Sequence, residues 1–242
     1  MTRVIAMLPT YNEAENIREL VGAILELGEN YEALVVDDDS PDRTWKVVQK
    51  MQGENEGRVH LVHRTIERGR GSAGIAGFVE ALRLGADVVV EMDADWSHHP
   101  RFIPPMVHLA QSEADVVIGS RLVRAGGEKG RSPVRQWITL GANFYIRTVL
   151  GLKIKDCTSG FRVFSRDILE KIDFNQFDSN GPAIVQEILM ACKTAGARFA
   201  ESPILFEERR AGESTFNARI MLAGLGAVLR FRFREWNCYL KS

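Results

Sequence analysis

The sequence contains no long apolar run. No stretch approaches the roughly 18–20 consecutive apolar residues that a bilayer-spanning helix needs. Net charge is nearly absent as well, at −1 from 31 Lys and Arg against 32 Asp and Glu. That balance argues against a general nucleic-acid binder, which is usually basic overall, but leaves room for a local basic patch. Cysteine is scarce: Cys157, Cys192 and Cys238 are odd in number and lack metal-ligand spacing. They exclude a disulfide framework and read as thiols of a reducing compartment. The N-terminus, MTRVIAMLPTYNE, lacks the apolar core of a signal peptide, so a cytosolic body is expected. A G-K-[ST] phosphate loop is also missing, as is an obvious His–Asp pair. What remains is an ordinary globular composition, 45% hydrophobic and 26% charged over 242 residues, enough for one large α/β domain or a domain with an extension.

The most informative stretch is ADVVVEMDADWSHHP, residues 86–100. The β-branched run Val88-Val89-Val90 reads as a buried strand that delivers Asp93 and Asp95 to its C-terminal end. In open α/β sheets that edge is where ligands bind. Carboxylates at i and i+2 on a turning backbone can face one hard cation, Mg²⁺ or Mn²⁺, together with substrate phosphates. A lone D-x-D is weak evidence, because Asp pairs are frequent in loops.

Other strands close on similar clusters. Val4 to Leu8 runs into Pro9-Thr10-Tyr11-Asn12-Glu13. Asn12 and Glu15 then read as the capping box of the helix from Ile17 to Leu27, which leaves Tyr11 and Glu13 unexplained. Ala33 to Val36 runs into Asp37-Asp38-Asp39, with Ser40-Pro41 as the start of the next helix. The surplus acid fits either a nucleobase or ribose ligand or a solvated acidic turn. Val59 to Val62 precedes a glycine-rich basic loop, Glu67 to Gly74, which opens a helix; such N-termini attract phosphate. A helix from Phe102 to Ala110 leads to the strand Ala114 to Ile118, which ends in Gly119-Ser120-Arg121. Strand–helix alternation predicts a mostly parallel, doubly wound sheet with these clusters on one edge.

Residues 124–135 read as a loop. Arg121, Arg124, Lys129, Arg131 and Arg135 there suit either an anionic partner or plain solvated surface. Helices are expected at Trp137 to Leu150 and Pro182 to Cys192, with strands at Phe161 to Phe164 and Ala197 to Phe206. A charged loop, Glu207 to Ser214, could close over a site. The tail, Ile220 to Leu229 followed by Arg230-Phe231-Arg232-Phe233-Arg234-Glu235-Trp236, is too short to span. It suits a membrane interface or an amphipathic helix packed on the domain or on a partner subunit. The expected division is a catalytic body, 1–215, and a helical tail, 216–242.

PTYNEAENI, VVDDDSPDRT, MDADWSHHP, GSR, TLGAN, TSGFRVF, QEI and ERRAGES follow one another from Pro9 to Ser214. In that order they resemble family 2 glycosyltransferases, and within them the dolichyl- or polyprenyl-phosphate mannosyltransferases. The resemblance implies a Rossmann-like nucleotide-diphospho-sugar transferase fold of the GT-A type. It also implies inverting transfer of mannose from GDP-mannose to a dolichyl or polyprenyl phosphate. Pro9, Tyr11, Glu13, Val36 and Asp38 would hold the guanosine, and Asp93, Ala94 and Asp95 the sugar and diphosphate. Asp95 and Ser97 would ligate the metal. Arg121 and Arg135 would meet the acceptor or donor phosphates, and Arg209 would close over the diphosphate. Asp93, Asp95 and Arg121 would thus carry catalysis, with His98 and His99 structural. The chain departs from the family pattern at Thr215 and Leu140, where a basic residue is usual, and lacks the C-terminal membrane helices of many members. It would work peripherally on the cytosolic face of a membrane, through a surface helix or a membrane-anchoring subunit. The rival readings are a glucosyl- or other polyprenyl-phosphate transferase, a silent nucleotide-sugar-binding subunit, and a nucleotidyltransferase.

Overall fold

Seven short strands form one sheet, most of them rich in Val, Ile and Leu and buried on both faces between helices. The computed structural model describes residues 2–66, 68–179, 181–207 and 218–241. In chain order the strands are β1 (Val4–Thr10), β2 (Tyr31–Asp37), β3 (Val59–His63), β4 (Val88–Glu91), β5 (Val116–Ser120), β7 (Arg162–Ser165) and β8 (Phe199–Pro203). They lie in the order β3-β2-β1-β4-β7-β5-β8. β7 runs antiparallel to both its neighbours and the other strands run parallel to one another. The parallel strands therefore end on one edge, and β7 begins there.

Strand residues alternate between two cores. Ile5 and Met7 of β1 face one side, with α3 (Arg70–Arg83) and α7 (Ile184–Thr194). Val4, Ala6 and Leu8 face the other, against α1 (Ile17–Leu25), α2 (Thr44–Glu54) and α4 (Ile103–Ser112). Each fully buried Val, Leu, Ile or Met among them contributes about 1.5–3 kcal/mol. Cys157 and Cys192 lie in the first core; burial pushes both thiols up to about 12, as expected of inert core residues.

Several local expectations are corrected. Asn12 does not cap α1: it has φ 61°, and the helix starts at Ile17. Its N–H instead donates to Ser40 Oγ at 3.0 Å, across to the loop after β2. Ser40-Pro41 does not open α2, because Ser40 is drawn to Asp37; Asp42 accepts from Thr44 N at 2.9 Å at the true start. Residues 124–135 are not all loop. They hold a short strand, β6 (Gly127–Lys129), paired in parallel with β9 (Leu205–Glu207), and the N-terminus of α5 (Pro133–Leu150). Ser132 Oγ and Pro133 make that helix start, a signal present in the sequence. The expected last strand is two, β8 and β9, broken at Ile204, which is buried against Gly119. A one-turn helix, α6 (Arg166–Glu170), had no expectation.

The C-terminal helix α8 (Ala218–Arg232) and the segment after it pack on the body. Ala227, Val228, Phe231, Trp236 and Tyr239 join the core that holds Ile146 and Leu150 of α5. Tyr145 donates to the carbonyl of Leu225, and Asp173 N to that of Tyr239. Arg230, Arg232 and Phe233 face solvent on the other side.

Candidate active site

The loops after β1 and β2 are stitched together at the sheet edge. Thr10 Oγ1 donates to Asp37 Oδ2 at 2.9 Å, Glu13 N to Thr44 Oγ1 at 3.0 Å, and Ala14 N to Asp42 Oδ2 at 2.9 Å. The three successive carboxylates have separate partners. Asp37 is fully buried and accepts from Ser40 N and Ser40 Oγ as well as from Thr10. Asp38 accepts from Gly69 N at 2.7 Å and lies 2.9 Å from the Arg64 guanidinium. Burial nonetheless raises its pKa. Asp39 meets His63 at 3.0 Å and Arg68 at 3.3 Å. Tyr11 stands out from the surface, 53% exposed. Pro9 is half-buried in β1, opposite Val36, whose side chain lies in the core beside Gly77. Val36 can thus offer a ligand only its backbone.

Next to these loops, β4 delivers the D-A-D stretch. Ala94 and Asp95 are buried and Asp93 is partly open. Ser97 N donates to Asp95 Oδ1 at 3.0 Å, while Ser97 Oγ is buried and makes no hydrogen bond. Trp96, between them, takes the left-handed φ of 65° that turns the chain. Among the described residues no group of three or more His, Cys, Asp or Glu could hold a metal ion. Asp95 and Ser97 are nevertheless hard oxygen donors, and the unused Ser97 Oγ is what a Mg²⁺ or Mn²⁺ ligand requires. Few protein ligands are needed where substrate phosphates complete the shell.

His98 joins this loop to the far half of the edge. Its Nδ1 accepts from Asp93 N at 3.3 Å, and its ring stacks on Phe161 at 5.0 Å and meets Phe206 edge-on. Burial lowers its pKa, against the pull of Asp93 and Asp95, and keeps the imidazole neutral. His99 caps the following turn through Arg101 N. These contacts suit the structural role expected of both.

Arg121, at the end of β5, is not a free cation. Its Nε and Nη2 grip Asp156 at 2.7 Å each, Nη2 also donates to Thr158 at 2.7 Å, and Nη1 lies 3.2 Å from Glu128. Asn143 of α5 donates to Thr158 at 3.1 Å. Burial alone would raise the pKa of Asp156, but the Arg121 fork holds it below the usual carboxylate range. Arg135 lies on the exposed first turn of α5. Arg209 and all the rest of ERRAGES lie outside the described residues.

Sequence reasoning did not assign Asp156, Glu128, Arg64 or Arg70. Arg70, at the start of α3, places Nη2 2.7 Å from Asp93 Oδ1. The field of Asp93, with those of Glu91 and Asp95, outweighs burial and raises its pKa. Glu91 is buried inside β4, register partner of the buried Arg162 in β7. A lone acid in one apolar strand and a lone base in another were the available signal for that pairing. Two clefts, of about 510 and 600 Å³, lie between the α7 entrance and α8 and beside α3, where Arg68 and Phe177 line the second.

Residues 6–173 match the model of glycosyl transferase family 2. The chain is 36% identical over 234 residues to polyprenol monophosphomannose synthase of Mycolicibacterium smegmatis, covering 97% of this chain and 86% of that one. It is 38% identical over 229 residues to undecaprenyl-phosphate mannosyltransferase of Micrococcus luteus, covering 95% and 93%. In fold it resembles glucosyl-3-phosphoglycerate synthase of Mycobacterium tuberculosis, crystallised with Mn²⁺, uridine diphosphate and glucosyl-3-phosphoglycerate. The TM-score is 0.65 at 20% identity, with 95% of this chain and 76% of that one covered. The sheet and its flanking helices are of that GT-A type.

Proposed function

The chain belongs to glycosyl transferase family 2, and from that premise we propose that it transfers mannose from GDP-mannose to a polyprenyl or dolichyl phosphate. The observation that carries this reading is an intact D-A-D stretch on the ligand-binding edge of a chain whose relatives bear polyprenyl-phosphate mannosyltransferase names. In this reading the loops Pro9 to Glu13 and Asp37 to Asp39 take the guanosine, and Asp93 to Asp95 the sugar diphosphate.

The acceptor needs no strong general base. A phosphate monoester is largely dianionic near neutral pH, with a second pKa of about 6. One of its oxygens attacks C1 of mannose as the C1–O bond to GDP breaks, and that electron pair leaves on the β-phosphate oxygen. A single displacement inverts the anomeric carbon. Catalysis is then positioning and electrostatics. Asp95 and Ser97 would hold a Mg²⁺ or Mn²⁺ ion, which when bound neutralises charge on the leaving diphosphate. Arg121, whose charge Asp156 and Glu128 offset, holds the Asp156–Thr158 turn at the site edge rather than acting as a mobile grip. Arg135 offers an exposed guanidinium to the acceptor phosphate, and Arg209 is assigned to the donor diphosphate.

The acceptor's lipid demands a membrane surface, and the outer face of α5 supports one. Val134, Trp137 and Phe144 are 68%, 74% and 71% exposed on it, and the helix contains no Asp or Glu. Trp and Arg beside one another suit headgroup depth. No helix among the described residues is long and apolar enough to cross, so attachment would be peripheral, directly or through an anchoring subunit.

Asp95→Ala tests the site. It should fold normally and lose metal-dependent transfer by at least about a hundredfold, the scale of one lost electrostatic stabiliser. A near-normal rate would remove Asp95 from the chemistry.

A further inference from the structure

One cation at the edge has no role in that scheme. Arg70 follows Gly69, which has φ 138°, and its guanidinium crosses to Asp93 at 2.7 Å. A Cβ added at Gly160, in the turn before β7, would come within 2.8 Å of the same Nη2 and 3.5 Å of Asp93 Oδ2. The pair thus lies over bare backbone, and a side chain at Gly160 would push the guanidinium aside. Arg70 Nε is buried and makes no hydrogen bond, so the guanidinium is not placed there to satisfy its own donors.

We propose that Arg70 is a positioning residue, a resident cation that holds Asp93 on the sugar side of the D-A-D stretch and leaves the divalent ion to Asp95 and Ser97. The inference rests on the reading of that stretch as the donor site. Its physical basis is competition. Two carboxylates at i and i+2 would both turn toward a divalent ion if neither were engaged. A guanidinium stays protonated at every working pH and matches a carboxylate with its fork. It therefore fixes Asp93 as a hydrogen-bond acceptor, and its charge opposes a nearby dication while favouring an anionic donor.

This makes two effects move in opposite directions, which a merely structural arginine would not. Full-length Arg70→Gln and Arg70→Lys are titrated with Mn²⁺ by electron paramagnetic resonance, with and without GDP, and transfer rates are measured alongside. Removing a unit charge beside the carboxylate pair should tighten Mn²⁺ binding about tenfold in Arg70→Gln, while kcat falls and the thermal midpoint stays near the parent's. Arg70→Lys keeps the charge and loses the fork, so Mn²⁺ affinity should stay near the parent's while kcat still falls. Equal or weaker Mn²⁺ binding in a folded Arg70→Gln overturns the proposal, as does no Mn²⁺ binding by either protein. If Arg70→Gln does not fold, Gly160→Ala serves, because it crowds the guanidinium without removing it; an unchanged kcat there also overturns the proposal. The Mn²⁺ titration needs no sugar donor. A chain that shows the tenfold shift but transfers no mannose therefore supports Arg70 and counts against the donor assignment alone.

Discussion

Arg121 and Asp156 show how one residue can serve a site without being free to touch the substrate. Asp156 is fully buried, so Arg121→Ala would leave its carboxylate without the guanidinium. Breaking such a pair costs about 3–5 kcal/mol, and a denaturant melt of Arg121→Ala should show a loss of that size as well as lost transfer. A variant that loses transfer at unchanged stability would restore Arg121 as a direct phosphate ligand. The pair also sets an acid limit. The pKa of Asp156 is lower in the folded chain than in the unfolded one, so its contribution is complete above the ordinary carboxylate pKa of about 4. It is lost as pH falls from there through the folded value. Stability measured from pH 6 down to pH 3 should fall more steeply in the parent than in a doubly substituted Arg121→Met, Asp156→Leu chain. At this scale the sequence located the D-A-D carboxylates and Arg121, but not who holds them. Asp37, Asp38 and Asp39 look alike in the chain; Thr10, Arg64 and His63, each distant in sequence, give them separate environments.

Among elements, the segment between β5 and α5 is the most sharply constrained. A Cβ at Gly126 would stand 2.5 Å from the carbonyl oxygen of Ser120 and 3.0 Å from that of Arg121. Backbone cannot yield as a flexible side chain does, so Gly126→Ala should cost about 1–3 kcal/mol and loosen β6 from β9; faster amide exchange in Gly127–Lys129 would register it. The tail is constrained differently. Removing everything after Asn217 would strip Ala227, Val228, Phe231, Trp236 and Tyr239 from the core, so the shortened chain should aggregate or melt early rather than merely leave membranes. A well-folded truncated chain would show that the tail is an appendage. Periodicity revealed nearly every helix and strand, because burial on one or two faces writes itself into the order of apolar residues. It failed at their ends, where Asn12 and Ser40 were read as caps and are bound to tertiary partners instead. It also failed at β6, which is three residues long and stabilised by β9 rather than by its own pattern.

For the whole molecule, alternation of strands and helices foretold a parallel doubly wound sheet, and the edge on which its clusters meet. The antiparallel insertion of β7 between β4 and β5 was not legible, since pairing partners are set by topology and not by composition. That insertion matters, because it brings Thr158, Gly160 and Phe161 to the same edge as Asp93 and Arg121. The proposed peripheral attachment would likewise be a property of the assembled surface: Trp137→Ser with Phe144→Ser should keep the parent's melting curve and weaken flotation with anionic vesicles several-fold, whereas unchanged flotation would remove α5 from the membrane contact. The central claim is met most directly by incubating the full chain with radiolabelled GDP-mannose, and in parallel UDP-glucose, with polyprenyl phosphate and Mg²⁺, and counting label in the organic phase. Label from GDP-mannose alone is the predicted result. Label from UDP-glucose alone would contradict the account, keeping the fold and the acceptor but replacing the sugar.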